Sequence, residues 1–299
     1  MPDDLRVVFE SRNLAACSDR SLVLSAAGIP HQIVQDAGGC ALLVAADRSA
    51  EAVQELQLFD EENPPVVKKP PRTLPYQDAM PGIAAYIVIV CFVAWLAGVT
   101  AMGENWLAAG RVDGELIRDG QWWRLFTALT LHAGLSHLAG NLVFGSFFGF
   151  FAGRLLGPGV AWLTILLAAG TGNLLNTMLL ESAHRSIGAS TAVFAALGLL
   201  AGFVWRAKLM SQERWSYRVG PIVGGLALLM FTGTGDANTD IGAHLMGFVS
   251  GFGGGLLLVR FIDDLQSRRL QLICGGSAFL LLLIAWQSAL LNSPVAAIM

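Results

Sequence analysis

The stretch GASTAVFAALGLLAGFVW, residues 188–205, holds no charged side chain and ends against Arg206. Eighteen uncharged and mostly apolar residues are enough to cross a hydrocarbon layer of ~30 Å as a helix. The run also opens on a polar pair, Ser190-Thr191, and is rich in small residues. Such residues let two helices approach closely inside a membrane bundle. This stretch predicts a membrane helix packed against protein, with a hydroxyl near one end.

Outward from it, the sequence predicts seven apolar spans, at about 82–102, 136–153, 158–180, 188–205, 219–234, 240–259 and 270–291. Their lengths suit membrane helices. Composition agrees: 54% of the 299 residues are hydrophobic and 14% are charged, against about a quarter charged in soluble domains. The net charge of −3 and the lack of a dense basic run argue against a nucleic-acid surface. Cysteines 17, 40, 91 and 274 form no CxxC pair and none adjoins a histidine, so neither a disulfide framework nor a zinc site is expected.

Before the first span, residues 1–60 read as a small α+β domain. Leu5–Glu10 is a strand candidate and 13–27 a helix ended by Gly28; residues 31–35 and 40–46 flank a Gly38-Gly39 turn. A helix capped by Ser49, with Glu51 in its first turn, completes a β-α-β-β-α order that suggests a ferredoxin-like module. Residues 61–81 form a linker, with prolines at 64, 65, 70, 71, 75 and 81. A membrane core over 82–260 and a further C-terminal helix within 261–299 follow.

Charge orients the bundle. No secretory signal is expected, because Asp3, Asp4, Arg6, Glu10 and Arg12 interrupt the start of the chain. Threading the seven spans alternately from a cytoplasmic N-terminal domain leaves eleven basic residues in the inner segments around the spans and four in the outer ones. The positive-inside bias supports this direction, with the C-terminus outside. The expected location is the plasma membrane of a prokaryote.

This threading carries Asn141, Ser190 and His244 to one layer. All three lie near the outer starts of the second, fourth and sixth spans, and His137 is one turn from Asn141. A serine in a membrane helix is ordinarily packing, and Asn173 and Asn176 read as interhelical glue. An ionisable His244 within a span is a functional signal. A neutral imidazole can activate Ser190, while Asn141, His137 and the Ser190 backbone N–H can receive an oxyanion. Asp240 reads mainly as the cap of the sixth span, which favours a Ser–His dyad over a triad.

In this order and spacing the residues resemble the rhomboid family of intramembrane serine proteases. The matching pieces are Trp123-Arg124, His132-x4-His137-x3-Asn141, Gly188-x-Ser190, Gly198, Ala243-His244 and the repeat Gly247, Gly251, Gly255. The resemblance covers about residues 82–260; the seventh span matches the extra helix of one subgroup. It implies Ser190 as nucleophile, His244 as base and His137 with Asn141 as oxyanion donors. It also implies Phe194 against the base, and Trp123, Arg124 and His132 bracing a loop partly in the membrane. Transmembrane protein substrates in the lipid bilayer are implied and no cofactor, while the N-terminal domain is a candidate place for a regulatory partner. Two departures stand out: Thr191, where the family usually has glycine, and Met246, where a small residue is common. An inactive relative that binds or escorts membrane clients is the competing expectation. The fifth span contains Gly220, Pro221, Gly224, Gly225 and Gly233, which suit either a loose element for lateral substrate entry or close packing within the bundle.

Overall fold

The computed structural model describes residues 4–36, 38–64, 74–179, 184–207, 223–224, 227 and 240–292. The chain divides into two units, Met1–Pro70 and Pro71–Met299.

In the first unit, β1 (Leu5–Ser11), α1 (Leu14–Ala26), β2 (His31–Asp36), β3 (Gly39–Ala45) and α2 (Ser49–Glu62) follow the expected order. The sheet runs β1-β3-β2 with both pairings antiparallel. Alternation along β3 turns Leu42 and Val44 inward, where they meet Leu24 and Ile29 and, from α2, Ala52 and Leu56. Asn13 caps α1 by accepting from the Ala15 N–H, and the Asp36 carboxylate accepts from Gly38 and Gly39 to close the hairpin. The full ferredoxin-like pattern carries a strand after the second helix; none is present there among the described residues.

Two expectations need correction. Ser49 is not the cap of α2: it is the first helical residue and its hydroxyl donates to the Ala46 carbonyl, while Arg48 takes the cap position and pairs with Glu51. Cys17 and Cys40 are joined by a disulfide across 23 residues of sequence, with Cα atoms 6.4 Å apart. Their spacing in the chain hid this, because α1 packs back on β3 and buries both side chains. Cys91 and Cys274 are free and half-buried.

The second unit is a helical bundle. Among the described residues, six of its helices are long and apolar enough to cross a membrane. They are α3 (Met80–Gly98), α7 (Leu135–Leu156), α8 (Pro158–Leu179), α9 (Ser190–Ala207), α10 (Ile241–Leu258, continued by a short turn to Phe261) and α11 (Arg268–Leu291). The remaining expected span, 219–234, falls almost wholly outside the described residues. Three short helices, α4 (Trp106–Gly110), α5 (Gly114–Arg118) and α6 (Arg124–Thr127), fill the connection from α3 to α7.

Helices α9 and α10 meet along a closely packed seam. A Cβ added at Gly247, Gly251 or Gly255 would lie 2.5, 2.0 or 2.3 Å from the carbonyl oxygens of Thr191, Ala195 and Leu199. From the other side, Gly198 and Gly202 meet the carbonyls of Phe248 and Phe252 in the same way. Only glycine permits such backbone-to-backbone contact, and in a membrane this packing supplies much of the association energy.

The C-terminal α11 is fastened at both ends. Near its start, Gln271 donates to the Leu156 carbonyl and accepts from the Val160 N–H, stitching the turn between α7 and α8. Near its end, the Trp286 indole donates to Thr130 Oγ1 and its ring lies 4.7 Å from that of Trp106.

Candidate active site

The connection from α3 to α7 and the approach to α9 are sewn together before the site begins. Val112–Asp113 (β4) pairs with Arg185–Ser186 (β5), and the Arg185 guanidinium donates to Asp113 at 3.0 Å. Beyond β5, the Gly188 N–H donates to the Ala128 carbonyl at 3.0 Å. The chain thus arrives at Ser190 from a fixed direction.

Trp123 and Arg124 brace the same connection. Arg124 is buried, and its guanidinium donates to the carbonyls of Ala108 and Arg111, both at 2.9 Å, and to Gln121 Oε1 at 2.7 Å. It satisfies carbonyls that α4 leaves open and holds that turn against α6. Trp123 packs with Val93, Trp106 and Trp286. Neither side chain reaches Ser190 through any of these contacts, and both serve as supports.

Ser190 is the first residue of α9 and is half-buried. Gly188, two residues earlier, has φ +132°, a conformation that side chains rarely adopt. A Cβ there would strike the His137 ring at 2.7 Å and stand 3.6 Å from Asn141 Nδ2. The bare face of Gly188 is therefore what lets His137 and Asn141, on the first turns of α7, close on the segment leading to Ser190. Asn141 is buried, and its Nδ2 donor has no hydrogen-bond partner. Buried polar groups are nearly always partnered, so an orphan amide against Gly188 needs a reason. His132 stacks edge-on against His137 with ring centroids 5.2 Å apart. Burial, reinforced by the neighbouring His137, pushes its pKa down to about 4.

From the other side comes His244, on the second turn of α10 and buried. Its ring stacks on Phe194 at 4.6 Å and 20°, and Phe194 sits one turn below Ser190 on α9. Its Nδ1 is buried with no hydrogen-bond partner. Among the described residues no hydrogen bond joins Ser190 to His244; such bonds are often long until substrate is bound. Thr191 is buried and faces Gly247, so the bulk added after the serine is matched by a missing side chain opposite.

Asp240 caps α10 as the sequence suggests, with Oδ1 accepting from the Ala243 N–H at 3.0 Å. The same carboxylate takes the Asn176 amide at 3.0 Å and His184 Nε2 at 2.7 Å. The second asparagine of α8, Asn173, donates to the Leu125 carbonyl. His184 and Asn176 were not marked by sequence as partners of the cap, because the approach to α9 and the end of α8 meet α10 only in three dimensions. Burial works to raise the Asp240 pKa, but the Ala243 N–H, His184 and Asn176 together lower it. The cap is thus fully formed above the ordinary carboxylate pKa of 3.8 and is lost as pH falls through a lower native value. Asp240→Ala is expected to destabilise the protein by about 1 kcal/mol at pH 7. In unfolding experiments in micelles, the gap from wild type should shrink below about pH 4; a gap unchanged at low pH would count against the cap.

Two more contacts complete the surroundings. The Tyr86 hydroxyl, on α3, donates to the main-chain carbonyl of Asn141 at 2.7 Å. Its ring stacks on Trp162 of α8 at 4.8 Å and 20°. Nothing in the sequence singled out Tyr86, a lone tyrosine in an apolar run. No group of three or more His, Cys, Asp or Glu side chains suited to a metal occurs among the described residues.

These features define a multi-pass helical membrane protein that gathers a hydroxyl, an imidazole and an orphan amide at the starts of three helices. Residues 119–261 match the family model described as the Rhomboid domain. The chain is 32% identical over 142 residues to YdcA of Bacillus subtilis (strain 168), covering 46% of this chain and 67% of that one. Over 167 residues it is 31% identical to the rhomboid protease GluP of the same organism, covering 55% of this chain and 32% of that one. Over 182 residues it is 30% identical to Rhomboid-like protease 1 of Toxoplasma gondii, covering 60% of this chain and 61% of that one. The chain belongs to the rhomboid family. It spans about a third of the length of GluP and under two thirds of the Toxoplasma protein. Relatives come from bacteria and eukaryotes alike, so membership establishes a multi-pass membrane protein without fixing the kind of cell.

Proposed function

We propose that the protein is an intramembrane serine endopeptidase that cleaves membrane-anchored proteins near the outer membrane face. The observation that carries the reading is the junction at the start of α9. There the His137–Asn141 pair abuts Gly188, two residues before Ser190, and the His244 ring stacks on Phe194, one turn after it.

In this reading Ser190 Oγ attacks the scissile carbonyl while His244 takes its proton. The carbonyl oxygen becomes an oxyanion and is received by Asn141 Nδ2, the His137 ring N–H and the Ser190 backbone N–H. When the C–N bond breaks, His244 returns the proton to the leaving amine. Water, deprotonated by His244, then hydrolyses the acyl-serine and restores the hydroxyl. Asp240 is engaged by Asn176, His184 and its own cap, and His244 Nδ1 has no carboxylate partner, which supports a dyad. The outer-face assignment rests on the basic residues favouring a cytoplasmic N-terminus.

The test is cleavage of a single-span fluorescent reporter by the purified protein in lipid vesicles. Wild type should cut it and Ser190→Ala should not. Equal rates for the two would end the proposal, and a wild type without activity would favour a client-binding relative.

A further inference from the structure

We infer that Tyr86, on α3, is a positioning residue for the oxyanion amide of Asn141, an inference that rests on the protease reading above. Tyr86 is 9% exposed and its hydroxyl donates to the Asn141 carbonyl at 2.7 Å. That carbonyl lies inside α7, where a helical oxygen ordinarily accepts only from the N–H four residues on. Its second lone pair is taken by a side chain from another helix, which pins this turn of α7 in both rotation and depth.

The surroundings are shaped to allow it. At Gly145, one turn beyond Asn141, a Cβ would lie 2.3 Å from the Tyr86 hydroxyl oxygen. Gly149, a turn further, and Gly82 on α3 give the same room to the Trp162 indole, against which the Tyr86 ring is stacked. Three glycines on two helices thus clear space for one tyrosine–tryptophan pair. That pair couples α3, α7 and α8 at the level of Asn141.

The consequence is chemical. The Asn141 side chain has no hydrogen bond of its own to hold Nδ2 in place. Its aim is therefore set by the backbone it hangs from, and the Tyr86 bond fixes that backbone. A donor for an oxyanion is effective when it is already in position before charge develops. Tyr86 does not touch the reacting atoms; it acts through Asn141.

The experiment compares wild type, Ser190→Ala, Tyr86→Phe, Asn141→Ala and the Tyr86→Phe/Asn141→Ala double variant in the vesicle assay. Phenylalanine keeps the ring against Trp162 and removes only the hydroxyl. Tyr86→Phe should lower kcat by roughly threefold to tenfold with KM little changed. In the Asn141→Ala background the same change should cost nothing further, because the group through which it acts is gone. A merely structural role would persist in that background. Should Tyr86→Phe fold poorly, Gly145→Ala displaces the hydroxyl from the other side and should give the same kcat loss. Wild-type kcat in a folded Tyr86→Phe, or an equal loss in both backgrounds, overturns the inference alone. A wild type no faster than Ser190→Ala overturns the protease reading and takes this inference with it.

Discussion

His244→Ala is expected to lower the cleavage rate by about 10⁴- to 10⁶-fold, the size of loss seen when serine hydrolases lose their base. Without the imidazole, Ser190 has no partner to take its proton, and at neutral pH the hydroxyl is a weak nucleophile. Labelling by a serine-directed fluorophosphonate should disappear alongside, because that reaction needs the same activation. Asn141→Ala should fall less, by about 10²- to 10³-fold, since one donor is lost while nucleophile and base remain. The ordering separates a dyad from a triad. Asp240→Asn keeps a good helix cap and should leave the rate within severalfold of wild type, because His244 Nδ1 has no carboxylate partner to lose. Undiminished labelling of His244→Ala, or an Asp240→Asn loss as large as that of His244→Ala, would refute this assignment of roles.

What the sequence made legible was what periodicity and polarity control. An uncharged run such as 188–205 has few conformational options in a membrane, so the helices are readable from composition alone. A histidine in such a run is conspicuous for the same reason, and alternate threading of the helices is what predicts Asn141, Ser190 and His244 at one depth. The fit of Thr191 was open in the sequence; it is Gly247, on a different helix, that makes the room. Contacts between distant segments were hidden. The Cys17–Cys40 bond depends on α1 folding back on β3, and the Tyr86 bond on α3 lying beside α7. The pairing of Val112–Asp113 with Arg185–Ser186 joins segments too short to show any alternation. The disulfide also bears on orientation: such bonds persist in oxidising compartments, whereas the basic residues favour a cytoplasmic N-terminus. On the cytoplasmic side the pair would be held as two thiols.

Gly251→Ala should be among the most damaging single-methyl additions in the protein, and the reason lies in what it meets. The new Cβ would sit 2.0 Å from the Ala195 carbonyl oxygen and 2.9 Å from the Ala195 Cα. These are backbone atoms of a packed helix and cannot swing aside as a side-chain tip can, so α9 and α10 must separate. Overpacking of this kind costs about 1–3 kcal/mol. Ser190 and His244 ride on these two helices, and a shift of about 1 Å in reacting groups can cost on the order of 10² in rate. Gly253 supplies the control, since it lies on the same helix and a Cβ there would meet nothing within 4 Å. Gly253→Ala should be neutral or stabilising by up to about 1 kcal/mol, through helix propensity alone. The two variants differ by two positions and carry the same added methyl, so thermal unfolding in micelles and reporter cleavage read the seam directly. If Gly251→Ala matched Gly253→Ala in both, close approach of α9 and α10 would not be what holds the serine and the histidine together.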